Sequence, residues 1–244
     1  MSALVDAWRL IVPLRGDKHG PLSSLLLVLT IVTGLVDAFS YLSLGHVFVA
    51  NSTGNVVFLA FALAGAHGFS IPASLLALAA FATGALAGGR AITSLSGNRG
   101  RLLAVVTAIE AALAAAALVV AMGGGAPYSG TSRYVLIALL GMAMGLQNAA
   151  ARRLAVPDLT TTVLTLTITG AAADSALVGG PGSKVGRRLP AVLGMLVGAS
   201  TGALLVVSGR APAALAIALT LLVGVSACTG ALARSSPPWT HETT

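Results

Sequence analysis

Asp37 and Glu110 are carboxyl side chains set inside stretches that are otherwise almost wholly apolar. A charge in such a place costs about 2.5–3.5 kcal/mol at the centre of a membrane helix on insertion scales. Carboxyls that persist there face a bundle interior or a wet cavity, where they relay protons or bind cations, or they make a structural hydrogen bond. A short way after Asp37 comes "VFVANSTGNVV" (47–57), with Asn51, Ser52, Thr53, Gly54 and Asn55 at its centre. These side chains can cap the N-terminus of a helix, and Gly54 lets a second backbone or a ligand come close. Asp158 with Thr160, Thr161 and Thr162 forms a second such cluster, after Pro157, which suits the start of a helix. Gln147 and Asn148 are a further polar pair inside an apolar run. The whole set reads as a substrate or ion site lined by hydroxyls, amides and backbone N–H groups. The competing reading is that these groups only satisfy helix ends and helix–helix hydrogen bonds.

Such residues need elements to position them, and composition says which kind. The 244 residues are 56% apolar and 9% charged, with a mean hydropathy of +0.93. A soluble domain has roughly 25% charged residues, so this chain is an all-α polytopic membrane protein in contact with the lipid bilayer. The net charge of +7 does not point to nucleic acid, because the cations lie between apolar runs and aromatics are only 5% of the chain. A single cysteine, Cys228, excludes an intrachain disulfide and reads as a small buried residue. No HExxH, CxxC or nucleophile–base pair is visible, so neither metal, cofactor nor enzymatic activity is expected. The Gly-rich basic loops 97–101 and 179–188 lack the phosphate-binding GK[ST] ending. His46, beside the first cluster, reads as interfacial.

Six runs are long enough to cross: 22–44, 71–89, 102–122, 134–151, 189–207 and 212–233. Two more, 47–65 and 156–173, open with the polar clusters and leave only about a dozen helix-compatible residues, too few to cross. Charge decides their path. If all eight runs cross, six cations fall outside and eight inside. If the two short runs dip in and return, only Arg133 and Arg210 lie outside and twelve cations lie inside, a clear positive-inside pattern. The expected architecture is six transmembrane helices plus two re-entrant half-helices, with both termini cytoplasmic. Each half, 22–122 and 134–233, then has three spans, so the second is inverted relative to the first. Gly34-Leu35 and Asp37-Ala38 lie on Gly145-Leu146 and Asn148-Ala149 in that alignment. Residues 1–21 read as a cytoplasmic segment, either an amphipathic surface helix or a loosely ordered tail, and 234–244 as a disordered cytoplasmic tail.

"TGLVDAFSYLSLGHVFVANSTGNVVFLAFALAG" (33–65) and "MGLQNAAARRLAVPDLTTTVLTLTITGAAAD" (144–174) resemble the two signature regions of the YoaK-like family, over about residues 22–233. That resemblance implies a bacterial inner-membrane protein with a single domain of unknown function, and it carries over no site residues. More loosely, the half-helix arrangement is similar to the core of sulfate- and uracil-type transporters, an analogy of fold alone. Inverted repeats with interrupted helices bind solutes where half-helix ends meet. The expected function is therefore a small secondary transporter or permease for a small polar or anionic solute, with Asp37 and then Glu110 as the groups coupling protons or cations. A passive channel and a non-transporting membrane subunit are the alternatives. So small a bundle is also consistent with a homodimer.

Overall fold

The computed structural model describes residues 20–95, 97–156, 169, 185–234 and 238–240. Among them are seven helices: α1 (Leu22–Ser43), α2 (Ser52–Leu63), α3 (Ile71–Leu95), α4 (Arg99–Met122), α5 (Gly130–Leu154), α6 (Val185–Val207) and α7 (Ala211–Arg234). Six are long and apolar enough to cross a membrane, and α2, at 12 residues, is not. Several helices run past the apolar stretches, taking in Arg90, Arg99, Arg152 and Arg153. The second polar cluster, with Asp158, Thr160, Thr161 and Thr162, lies outside the described residues.

Burial sorts the six spans. In the most apolar windows of α1 and α5, 72% and 61% of residues are buried, against 28–39% in the other four, so α1 and α5 are central. The outer helices present Leu86, Val119, Leu196, Leu204 and Val223 outward, as lipid contact requires.

The most extensive helix contacts are α3 with α5, α1 with α6, and α4 with α7. Lipid is as apolar as leucine, so helices associate where small residues let backbones approach. A Cβ at Gly84 would overlap the Met142 carbonyl, one at Gly145 the Phe81 carbonyl, and one at Gly88 would meet Leu146 and Ala149. Between α1 and α6 the same happens: a Cβ at Gly198 would overlap the Ile31 carbonyl, one at Gly34 would meet Met195, and one at Gly202 would meet Leu35 and Ala38. Raising the α1 numbers by 111 takes Ile31, Gly34, Leu35 and Ala38 onto Met142, Gly145, Leu146 and Ala149 of α5. Lowering the α6 numbers by 114 takes Met195, Gly198 and Gly202 onto Phe81, Gly84 and Gly88 of α3. The two contacts are thus one contact made twice, and in each the two helices run parallel.

Hydrogen bonds fix the two ends. At one, Tyr128 N–H donates to Ser43 O (3.0 Å), the Tyr128 hydroxyl to Ala121 O (3.1 Å) and Arg133 Nε to Leu44 O (2.7 Å), gathering the ends of α1 and α4 with the start of α5. At the other, Arg99 Nη2 donates to Leu154 O (2.6 Å). Pro238–Thr240, within the tail expected to be disordered, forms a 3-10 turn. Trp239 is buried there because Gly20 and Gly100 leave room for its ring: a Cβ at Gly20 would lie 2.5 Å from it and one at Gly100 3.0 Å.

Candidate functional site

Between α1 and α2 the chain is neither helix nor strand, yet Val47, Val49 and Ala50 are buried. Buried backbone N–H groups need partners wherever water is absent. Asp37, in the second half of α1, supplies them. Its Oδ1 accepts from the N–H groups of Val49 (3.1 Å) and Ala50 (2.8 Å). Its Oδ2 accepts from the Asn51 N–H (3.2 Å) and from Asn51 Nδ2. A carboxylate has about four lone-pair directions, and here four donors occupy them.

One turn into α2, Asn55 completes the clamp. Its Oδ1 accepts from the Phe48 N–H (2.9 Å) and its Nδ2 donates to Phe48 O (2.5 Å), so both backbone groups of Phe48 are held by one buried amide. Gly54 is needed between them, because a Cβ there would stand 2.7 Å from the Phe48 ring. The Phe48 ring stacks on Tyr41 at 4.9 Å, and Phe58 of α2 stacks on Phe69 at 5.3 Å. His46 Nδ1 lies 3.0 Å from Gly68 O, so the two ends of segment 46–68 touch. The Ser52 hydroxyl is buried without a partner among the described residues, and Thr53 is exposed.

One turn before Asp37, Thr33 donates to Leu29 O (2.9 Å) and accepts from Gln147 Nε2 of α5 (2.8 Å). Gln147 Oε1 is buried with no partner among the described residues. Asn148 donates from Nδ2 to Met144 O (2.8 Å) on its own helix. Asp37 and Asn51 are therefore in direct contact, Asn55 holds the same arm through Phe48, and Gln147 reaches α1 one turn away. Glu110 stands apart on α4, fully buried. Among the described residues no three His, Cys, Asp or Glu side chains gather as a metal site.

Phe48 and Thr33 belong to this site and were not singled out in the sequence. Thr33 had a readable signal, a hydroxyl four positions before Asp37 and so on the same helix face. Phe48 had none, because it takes part through its backbone.

Comparison with known proteins bears on the chain as a whole. A family model described as "Protein of unknown function (DUF1275)" matches residues 25–228. The UPF0700 transmembrane protein YoaK of Bacillus subtilis (strain 168) is 33% identical over 148 residues, which cover 60% of this chain and 64% of that protein. The match thus spans less than two thirds of the relative's length. No solved structure matches.

Proposed function

This chain belongs to the DUF1275 family of membrane proteins, and we propose that it is a small permease for a polar or anionic solute, built of two inverted halves. The observation that carries the reading is the segment 47–63, an irregular arm and a half-helix bound to the central helix α1 through Asp37. Interrupted helices line the solute sites of transporters, and at the start of α2, where the N–H groups of Asn51, Ser52 and Gly54 are already bonded, the capacity left is that of side chains. Ser52 Oγ and Gln147 Oε1 are buried polar atoms whose hydrogen-bonding capacity is unspent among the described residues, and we assign them to the solute. The inverted repeat is supported by the doubled glycine contact, and the re-entrant path by the His46–Gly68 closure. The setting we propose is the bacterial inner membrane, with both termini in the cytoplasm, where Arg90, Arg99, Arg101, Arg152, Arg153 and Arg234 would then face.

Flux into proteoliposomes over a panel of small polar and anionic solutes, with and without a pH gradient, is the test. Saturable uptake of one class, weakened by S52A and Q147A, is the expected result. Uptake that never saturates and ignores every gradient would make the protein a passive channel. A second reading, a non-transporting membrane subunit, is favoured by the bond between Asn51 and Asp37 and the bonds of Asn55 to Phe48, which leave those three with little capacity for a ligand. No flux of any solute, together with co-purification of a defined partner, would establish it.

A further inference from the structure

We infer that Glu110 is the proton-exchange site of this protein, a role that Asp37 does not share. The use made of the proton rests on the permease reading, whereas the site itself rests on geometry. Glu110 is the twelfth of 24 residues in α4 and is completely buried. Neither carboxyl oxygen has a hydrogen-bond partner among the described residues. Thr107, one turn earlier, spends its hydroxyl on Leu103 O at 2.7 Å and Ala104 O at 3.3 Å.

Among the described residues, the helices packed against α4 bring no countercharge to that level. Their ionisable groups are Arg90 on α3, Arg133, Tyr134, Arg152 and Arg153 on α5, and Cys228 and Arg234 on α7. These, and Arg99 and Arg101 on α4 itself, all lie within two turns of a helix end. A lone buried carboxylate is costly, and such a group neutralises by taking up a proton. A metal cation would need several oxygen ligands, whereas a proton needs one. Glu110 can gain and lose a proton without breaking a hydrogen bond to any described residue. Protonation of Asp37 would instead point a new donor at four existing donors.

The experiment uses full-length protein in proteoliposomes and dicyclohexylcarbodiimide, which reacts with protonated carboxyls in apolar surroundings. The carboxyl O–H adds across a C=N bond, and the acyl group then shifts from oxygen to nitrogen. The resulting N-acylurea keeps every atom of both reactants, so peptide mass mapping locates it. Label on Glu110 that falls as pH rises, is lost in E110Q, persists in E110D and is absent from Asp37 is the expected result. No label on Glu110, label that ignores pH, or equal label on Asp37 would overturn the inference. Infrared spectra give a second measure: a carboxylic C=O band that shifts in D2O and is missing from E110Q supports exchange, and the absence of any such band overturns it. Neither readout needs a solute. PH-dependent labelling in a protein without flux would therefore sustain the proton site while removing the permease reading.

Discussion

At Asp37 one side chain answers for three consecutive backbone N–H groups, 49–51, that no helix or sheet satisfies. A hydrogen bond to a charged group is worth about 1.5–3 kcal/mol, and an orphaned buried donor forfeits a similar amount. D37N keeps one acceptor oxygen but turns an amide NH2 toward the donors of Asn51. We expect it to lower stability by at least about 1.5–3 kcal/mol, the worth of one charge-assisted bond, read as a fall in the thermal midpoint of purified protein in detergent. N55A should act in the same direction, because it frees both backbone groups of Phe48. The two substitutions release one arm, so the D37N/N55A double variant should lose less than the sum of the single losses. Strict additivity would mean that the two clamps hold independent pieces.

Among the elements, the spans are joined where glycine removes a side chain. Gly84 and Gly198 occupy corresponding places in the α3–α5 and α1–α6 contacts, each against a carbonyl. Alanine at either forces the backbones apart, and overpacking of this kind costs about 1–3 kcal/mol. G84A and G198A should therefore destabilise by similar amounts in detergent melts. G224A and G230A, where nothing lies within 4 Å of the added carbon, are the controls. Those two should be neutral or stabilising by up to about 1 kcal/mol, the helix preference of alanine over glycine. Unequal losses at Gly84 and Gly198 would argue against treating the two contacts as equivalent. The 111-residue offset between Gly34-Leu35 and Gly145-Leu146 is legible in the sequence, whereas the 114-residue offset between the glycines of α3 and α6 emerges only from the contacts. Which helix each glycine would meet was not legible, because a small residue marks an interface without naming its partner.

For the whole molecule, the sidedness of three loops decides how often the chain crosses. The single cysteine, Cys228, is exposed rather than buried as its type suggests, so in a C228S background H67C, G97C and R210C report sidedness to a membrane-impermeant maleimide. All three positions are exposed. With a re-entrant α2, H67C and R210C react in intact spheroplasts and G97C reacts only after permeabilisation. H67C reacting only after permeabilisation would make α2 a complete crossing and dissolve the twelve-to-two charge asymmetry that supports the inverted halves.

Class, the six spans, the short 47–65 run and the polar clusters follow from the sequence alone, because each is a local property: a run of apolar residues, a gap in it, a scarcity of charge. The tertiary structure decided what those residues do to one another. It turned Asp37 from a lone intramembrane charge into the holder of 49–51, left Glu110 buried without a described partner, and buried Trp239 in a tail whose composition reads as disordered. The physical reason is distance along the chain. In lipid nearly every apolar face is acceptable to nearly every other, so specificity falls to close glycine contacts and a few polar pairs. The partners in those pairs can stand as far apart as Thr33 and Gln147, and only the folded bundle brings them within a hydrogen bond.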